Sequence, residues 1–167
     1  INDVQSFETK INKYPDITFF GGYLETRAVY NSSDYERLTD TGFENRTTHL
    51  GIDFWLKDNI PVHSIEDGHI KIITNDRTSK GYGGLIIIEH SIGKIIYYSL
   101  YGHLSDQKKS VLKIGSFVKK GEKIGEIGAI SENGGWSPHL HFQLMLTLLD
   151  YHNDFPGVCM EYEKDIW

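Results

Sequence analysis

The stretch Gly84-Leu85-Ile86-Ile87-Ile88-Glu89, followed at Lys94 by Ile95-Ile96-Tyr97-Tyr98-Ser99-Leu100, decides the fold. Both runs are short, rich in β-branched and aromatic residues and cut by glycine, which are the marks of strands. Gly68 to Thr74 and His139 to Leu146 read the same way. Between residues 100 and 139, the series Ile114-Gly115-Ser116-Phe117-Val118-Lys119-Lys120-Gly121-Glu122-Lys123-Ile124-Gly125 predicts tight turns joining very short strands. Seventeen glycines, most of them after Gly51, favour a turn-rich sheet over a helix bundle. The expectation is an all-β, mostly antiparallel small sandwich with little helix. Leu144 to Tyr151 is left open between a strand end and a helical turn.

Working outward, the first 40 or so residues alternate turn signals, as in Tyr14-Pro15-Asp16, with short aromatic stretches such as Phe19-Phe20-Gly21-Gly22-Tyr23. They show no sustained helical period. Residues 1–45 are therefore expected to form an extended arm laid over a core made by residues 46–167, the whole being one globular unit.

The bulk numbers narrow the function. At 167 residues and 39% hydrophobic, the chain fills one domain without a disulfide or folding metal. A net charge of -6 and a pI near 5.7 argue against nucleic acid as a partner, because phosphate neutralisation needs clustered Lys and Arg. The densest basic pairs, Lys108-Lys109 and Lys119-Lys120, read as solvated turn charges. Cys159 is the only cysteine, so neither an internal disulfide nor a thiolate cluster can form. No apolar run approaches the roughly 20 residues of a membrane helix, and Leu85 to Ile88 is strand-sized. Ile1 in place of an initiator methionine is expected of a domain excised from a longer chain, which leaves room for flanking domains and for a removed signal peptide.

Three fragments carry the chemistry: His49-Leu50-Gly51-Ile52-Asp53, Tyr101-Gly102-His103-Leu104 and His139-Leu140-His141-Phe142. In a strand, residues i, i+2 and i+4 share a face. His49, Gly51 and Asp53 would then lie together, with Leu50, Ile52 and Phe54 opposite, and Gly51 would leave room where a metal sits. His139 and His141 also share a face, roughly 6 to 7 Å apart, so one could ligate and the other stand beside a bound water. His103 follows an aromatic strand at its glycine-marked end, a common place for catalytic groups. Taken singly, each fragment has a bland reading as surface or strand-end polar residues. His63, His69, His90 and His152 have no second ligand at useful spacing and are assigned to structure or solvent. Together, four histidines and one aspartate suit a hydrolytic zinc site: three protein ligands, one open position for water, and two histidines left for proton chemistry.

In this order, H-x-x-x-D, then Y-G-H-L, then H-L-H-F, the fragments resemble the M23 zinc metallopeptidases, the lysostaphin and LytM-like endopeptidases. Asp58-Asn59-Ile60-Pro61-Val62 through Glu66-Asp67-Gly68, the pair Glu89-His90, and the turn series Gly115 to Gly128 extend the resemblance over roughly Arg46 to Leu144. It implies a LytM-like sheet with a groove. It also implies one Zn2+ held by His49, Asp53 and His141, with His103 and His139 as the assisting catalytic histidines, and a peptide or peptidoglycan-type substrate. Tyr101 and Trp136 are the candidate substrate-binding residues. Two departures stand out: Glu132-Asn133-Gly134-Gly135-Trp136-Ser137-Pro138 before H-x-H, and Gln143 where the family usually has glutamate. With His49 to Trp55 and Asp154-Phe155-Pro156-Gly157, they look most like an M23 subset also found fused to aminotransferase-type enzymes. The resemblance implies a periplasmic, cell-envelope or secreted location, and leaves a cytoplasmic one open should the chain belong to that subset.

Three other readings compete. A non-catalytic M23-like binding or regulatory module is disfavoured because none of the five positions is lost. A non-haem iron oxygenase also uses two histidines and a carboxylate, but in the reverse order along the chain. A carbohydrate- or lipid-binding β-domain would leave the histidines incidental.

Overall fold

The computed structural model describes residues 4–14, 17–107 and 111–167, so the Lys108-Lys109 pair and the Pro15-Asp16 turn lie outside the described residues. In chain order the elements begin with α1 (Val4–Lys13), β1 (Phe19–Gly21), β2 (Glu36–Thr39), β3 (Gly42–Asn45), β4 (Thr48–His49) and β5 (Ile52–Trp55). They continue with β6 (Pro61–His63), β7 (Gly68–Asp76), β8 (Gly83–Ile92) and β9 (Ile95–Leu104). The last are β10 (Phe117–Val118), β11 (Lys123–Glu126), β12 (His139–Met145) and β13 (Val158–Cys159). A seven-stranded antiparallel sheet runs β1-β5-β12-β9-β8-β7-β10, accompanied by the two-stranded ribbons β11-β6, β13-β4 and β2-β3.

The unbroken Leu85-Ile86-Ile87-Ile88 run is explained by where β8 lies. It is flanked by β7 and β9 and buried on both faces, so every residue of the run is apolar and fully buried. Ile86 and Ile88 enter one core with Val62, Ile70, Tyr101, Leu104, Val118, Ile124 and Ile127, beneath the β11-β6 ribbon. Leu85 and Ile87 enter a second core with Ile72, Leu100, Met145, Leu148 and Phe155, covered by the C-terminal segment. Each such side chain contributes about 1.5–3 kcal/mol by leaving water.

β12 alternates as the sequence predicts. His139, His141, Gln143 and Met145 are buried on the face that continues the second core, while Leu140 and Phe142 pack against the first. The turn series forms β10 and β11, and β12 ends at Met145 before a turn closed by the Tyr151 N–H on the Leu148 carbonyl.

The N-terminal segment differs from a purely extended arm. Residues 4–13 are helical, with Lys10 and Lys13 in the last turn, where positive charge suits the helix carbonyls. The helix docks through Ile11, which is buried against Trp55 and Phe19. This tertiary contact, not a repeating apolar period, holds it. Farther on, β1 is the edge strand beside β5, with Gly21 opposite Asp53, and a bridge joins Thr26 to Thr48. The segment thus extends the main sheet.

Candidate metal centre

β12 lies between β5 and β9, and its register brings the fragments together: His141 faces Asp53 on one side and Gly102 on the other. His49 arrives from β4, whose partner is Val158 of β13. His49 Nε2, His141 Nδ1 and Asp53 Oδ1 face one another at 2.9, 3.1 and 3.2 Å. Ligand atoms about 2.0–2.1 Å from a tetrahedral zinc are about 3.3 Å apart, so the triangle fits a single Zn2+. All three residues are buried.

The remaining nitrogens are already committed, which fixes the ones facing the centre. His49 Nδ1 lies 3.3 Å from the Gly22 carbonyl, so a proton there leaves Nε2 free. His141 does the reverse: Nε2 donates to Gln143 Oε1 at 3.1 Å, leaving Nδ1 as the donor to metal. Gln143 is held in turn by donating to the Pro156 carbonyl at 3.3 Å. A Cβ at position 51 would lie 2.6 Å from His141 Nε2 and 2.7 Å from the Phe142 carbonyl. The space expected for a metal at Gly51 is therefore the space of a histidine ring.

His139 and His103 stand beside the triad with ring centroids 4.2 Å apart. His139 Nδ1 donates to the Ser137 carbonyl at 2.7 Å, its ring stacks on Trp55, and its Nε2 is 3.9 Å from Asp53 Oδ1. His103 Nδ1 donates to the Asn133 carbonyl at 3.2 Å. Tyr82 packs on both His103 and His141, 5.5 Å from each, while its hydroxyl donates to the Phe155 carbonyl.

His103 reaches this face through a bulge. Between Gly84 and Ile86 on β8 the partner residues on β9 step from Leu104 to Tyr101, which inserts one extra residue in β9. His103 adopts φ 64°, a left-handed conformation that costs a non-glycine residue about 1–2 kcal/mol. Its N–H bonds the Tyr82 carbonyl and its carbonyl accepts from Gly128, so the strained residue is pinned on both sides.

Burial pushes the His49 and His139 imidazoles below the ordinary histidine value and, with the nearby His139 and His141 charges, holds His103 well below it. For Asp53, burial alone would raise the carboxyl, but the close approach of His139, His141 and His49 outweighs it and holds it well below the usual range. Neutral imidazoles and an ionised carboxylate are the states a metal requires.

A groove of about 410 Å³ opens over these residues. One wall comes from Glu25 to Tyr30 with Asp34 and Tyr35, the other from Thr78 to Tyr82, Trp136 and Asp154 to Val158. Trp136 is on that wall, 6.2 Å from the His103 ring and 6.4 Å from the His139 ring, with the Lys80 ammonium 4.3 Å from its centroid.

Tyr101 is a correction. Expected at the substrate, it is 1% exposed in the first core, on the opposite face, where its hydroxyl accepts the Ile65 N–H. The bulge is the reason: it turns His103 to the site and leaves Tyr101 behind. Sequence reasoning missed Arg27, whose Nη1 donates to Asp53 Oδ2 at 2.5 Å, as well as Tyr82 and the carbonyls of Gly22 and Asn133. Trp55 was within reach of parity, being two residues beyond Asp53. No local pattern marks the others.

Residues 47–152 match the model of Peptidase family M23, and the chain belongs to that family. It is 32% identical over 154 residues to an uncharacterized metalloprotease of Buchnera aphidicola, covering 86% of this chain and 37% of that protein. With the peptidoglycan DD-endopeptidase ShyB of Vibrio cholerae it shares 35% identity over 141 residues, covering 84% of this chain and 29% of ShyB. The catalytic domain of the antimicrobial peptidase lysostaphin from Staphylococcus simulans superposes with a TM-score of 0.56 at 25% identity, covering 97% of this chain and 96% of that one. The chain spans well under half the length of the two curated relatives.

Proposed function

We propose that the chain is a zinc-dependent endopeptidase that hydrolyses a peptide bond in a cell-wall-type or glycine-rich peptide, with His49, Asp53 and His141 as the metal ligands. The convergence of three buried donors within 4.8 Å beside two neutral histidines carries this reading. Zinc held there supplies Lewis acidity, polarising the scissile carbonyl and bringing the pKa of a water towards ~7.

The chain's own residues do the rest. His139, with Nδ1 fixed on Ser137, keeps the Nε2 lone pair free to take the proton of the attacking water. His103 lies against that ring with Nδ1 fixed on Asn133, so its Nε2 donates only after gaining a proton. The proton that His139 takes from the water passes to His103 across the adjoining rings, and burial makes protonated His103 acidic enough to hand it on to the leaving amine. Trp55 holds the His139 plane, and Trp136 walls the groove where the scissile peptide lies. The substrate class and a periplasmic, envelope or secreted setting are supported by the peptidoglycan endopeptidase and lysostaphin relatives.

The test is incubation of purified, zinc-loaded protein with peptidoglycan fragments and with oligoglycine and D-amino-acid peptides, each with a chelator control. Chelator-sensitive cleavage of one of these supports the proposal. A folded protein that never holds zinc supports the binding-module alternative.

A further inference from the structure

We infer that Arg27, from the N-terminal segment outside the family-matched residues, is a positioning residue of the metal centre that holds Asp53 as a one-oxygen ligand. The inference rests on the proposed ligand set of His49, Asp53 and His141.

Asp53 presents Oδ1 to His49 and His141, while Arg27 Nη1 takes its other oxygen, Oδ2, at 2.5 Å. A carboxylate so divided has one oxygen free for a metal and the other tied to a fixed cation. The guanidinium is held for this task from several directions. Its Nε donates to Glu25 Oε2 at 3.0 Å, Nη1 also donates to the Tyr30 hydroxyl at 3.2 Å, and the group lies 5.7 Å from the Trp55 ring and 5.9 Å from the Tyr30 ring. Its backbone N–H bonds the Thr47 carbonyl, tying the segment to the strand that carries His49.

Two features mark the placement as one that packing alone would not select. Nη2 is buried without a hydrogen-bond partner, a cost the fold accepts to keep Nη1 on Asp53. Gly21, which pairs with Asp53 in the β1–β5 register, has no room for a side chain: a Cβ there would lie 2.6 Å from Arg27 Nη2 and 2.7 Å from the Trp55 ring. The edge strand is thus shaped around the guanidinium. The segment that reads in the sequence as an arm over the core instead completes the centre, by fixing which oxygen of Asp53 faces it.

The test is Arg27→Gln and Arg27→Lys in the full chain, read by zinc dissociation constant in a chelator competition, by the visible spectrum of the cobalt(II)-substituted protein, and by kcat and KM separately. Arg27→Gln is expected to weaken zinc binding about 10–100-fold, shift the cobalt bands and lower kcat with KM within about twofold, as loss of a group orienting a ligand does. Arg27→Lys, which retains charge but not the fork, falls between. A merely structural role would lower the melting temperature and leave the cobalt spectrum and zinc affinity unmoved. If Arg27→Gln does not fold, Arg27→Lys decides alone. Zinc affinity within about threefold of the parent with superimposable cobalt bands overturns the inference. If the parent chain itself binds no zinc, it is the proposed function that fails.

Discussion

Gly51→Ala isolates the packing around His141. The backbone at Gly51 is outside the left-handed region, so alanine carries no conformational penalty there. By itself that exchange would stabilise the fold by about 0.4–1 kcal/mol through the unfolded chain. Against it stand contacts of 2.6 Å to His141 Nε2, 2.7 Å to Cε1 and 2.7 Å to the Phe142 carbonyl. The carbonyl belongs to β12 and cannot swing aside, so the imidazole or the strand must move. Overpacking of this kind costs about 1–3 kcal/mol. The difference leaves a net loss centred on about 1.3 kcal/mol and reaching about 2.6 kcal/mol, or a melting temperature lower by roughly 3–5 °C at the centre and up to about 10 °C for a chain this size. Displacing the ring also pulls Nδ1 from the triangle and Nε2 from Gln143, so zinc affinity falls about 10-fold or more. Gly22→Ala is the matched control, since nothing lies within 4 Å of a Cβ there. Thermal melts with and without zinc, plus chelator competition, read both effects. A Gly51→Ala protein that melts at or above the parent and binds zinc equally well refutes the reasoning.

Other outcomes follow from single residues. Gln143→Leu removes the acceptor for His141 Nε2–H and is expected to weaken zinc binding 10–100-fold at nearly unchanged cleft shape, measured by competition titration. His103→Gly is expected to be about 1 kcal/mol more stable than His103→Ala in urea denaturation, because glycine relieves the φ of 64°; the opposite ranking contradicts the bulge. Since His139 must be neutral to accept a proton and burial lowers it from the ordinary histidine value, the acid limb of kcat/KM at saturating zinc should be centred below pH 6.5. An acid limb centred above pH 7 would contradict that role. Trp136→Ala should raise KM more than it lowers kcat, since the ring lines the groove and touches no ligand atom.

Much of the centre is legible because period-two alternation is a strict rule within a regular strand. His139, His141 and Gln143 follow it along β12, and the antiparallel register carries Asp53 to the same face. The rule fails where the strand is irregular. Parity places Tyr101 and His103 together, and one inserted residue with positive φ separates them, so Tyr101 faces the first core and His103 the metal centre. Nothing in Tyr101-Gly102-His103 distinguishes a bulge from a strand end. The continuous apolar run of β8 is readable as a strand, but that both faces are buried emerges only from its neighbours. Helix α1 is invisible to periodicity because Ile11 against Trp55 anchors it. Arg27 lies 26 residues from Asp53 and meets it only once β1 has paired with β5.

Zinc stoichiometry tests the central claim most directly. Emission spectroscopy of the purified chain, with Asp53→Ala and His141→Ala alongside and folding checked by circular dichroism, is predicted to give one zinc per parent chain and little in either variant. Equal zinc in all three, or none in a folded parent, would contradict it.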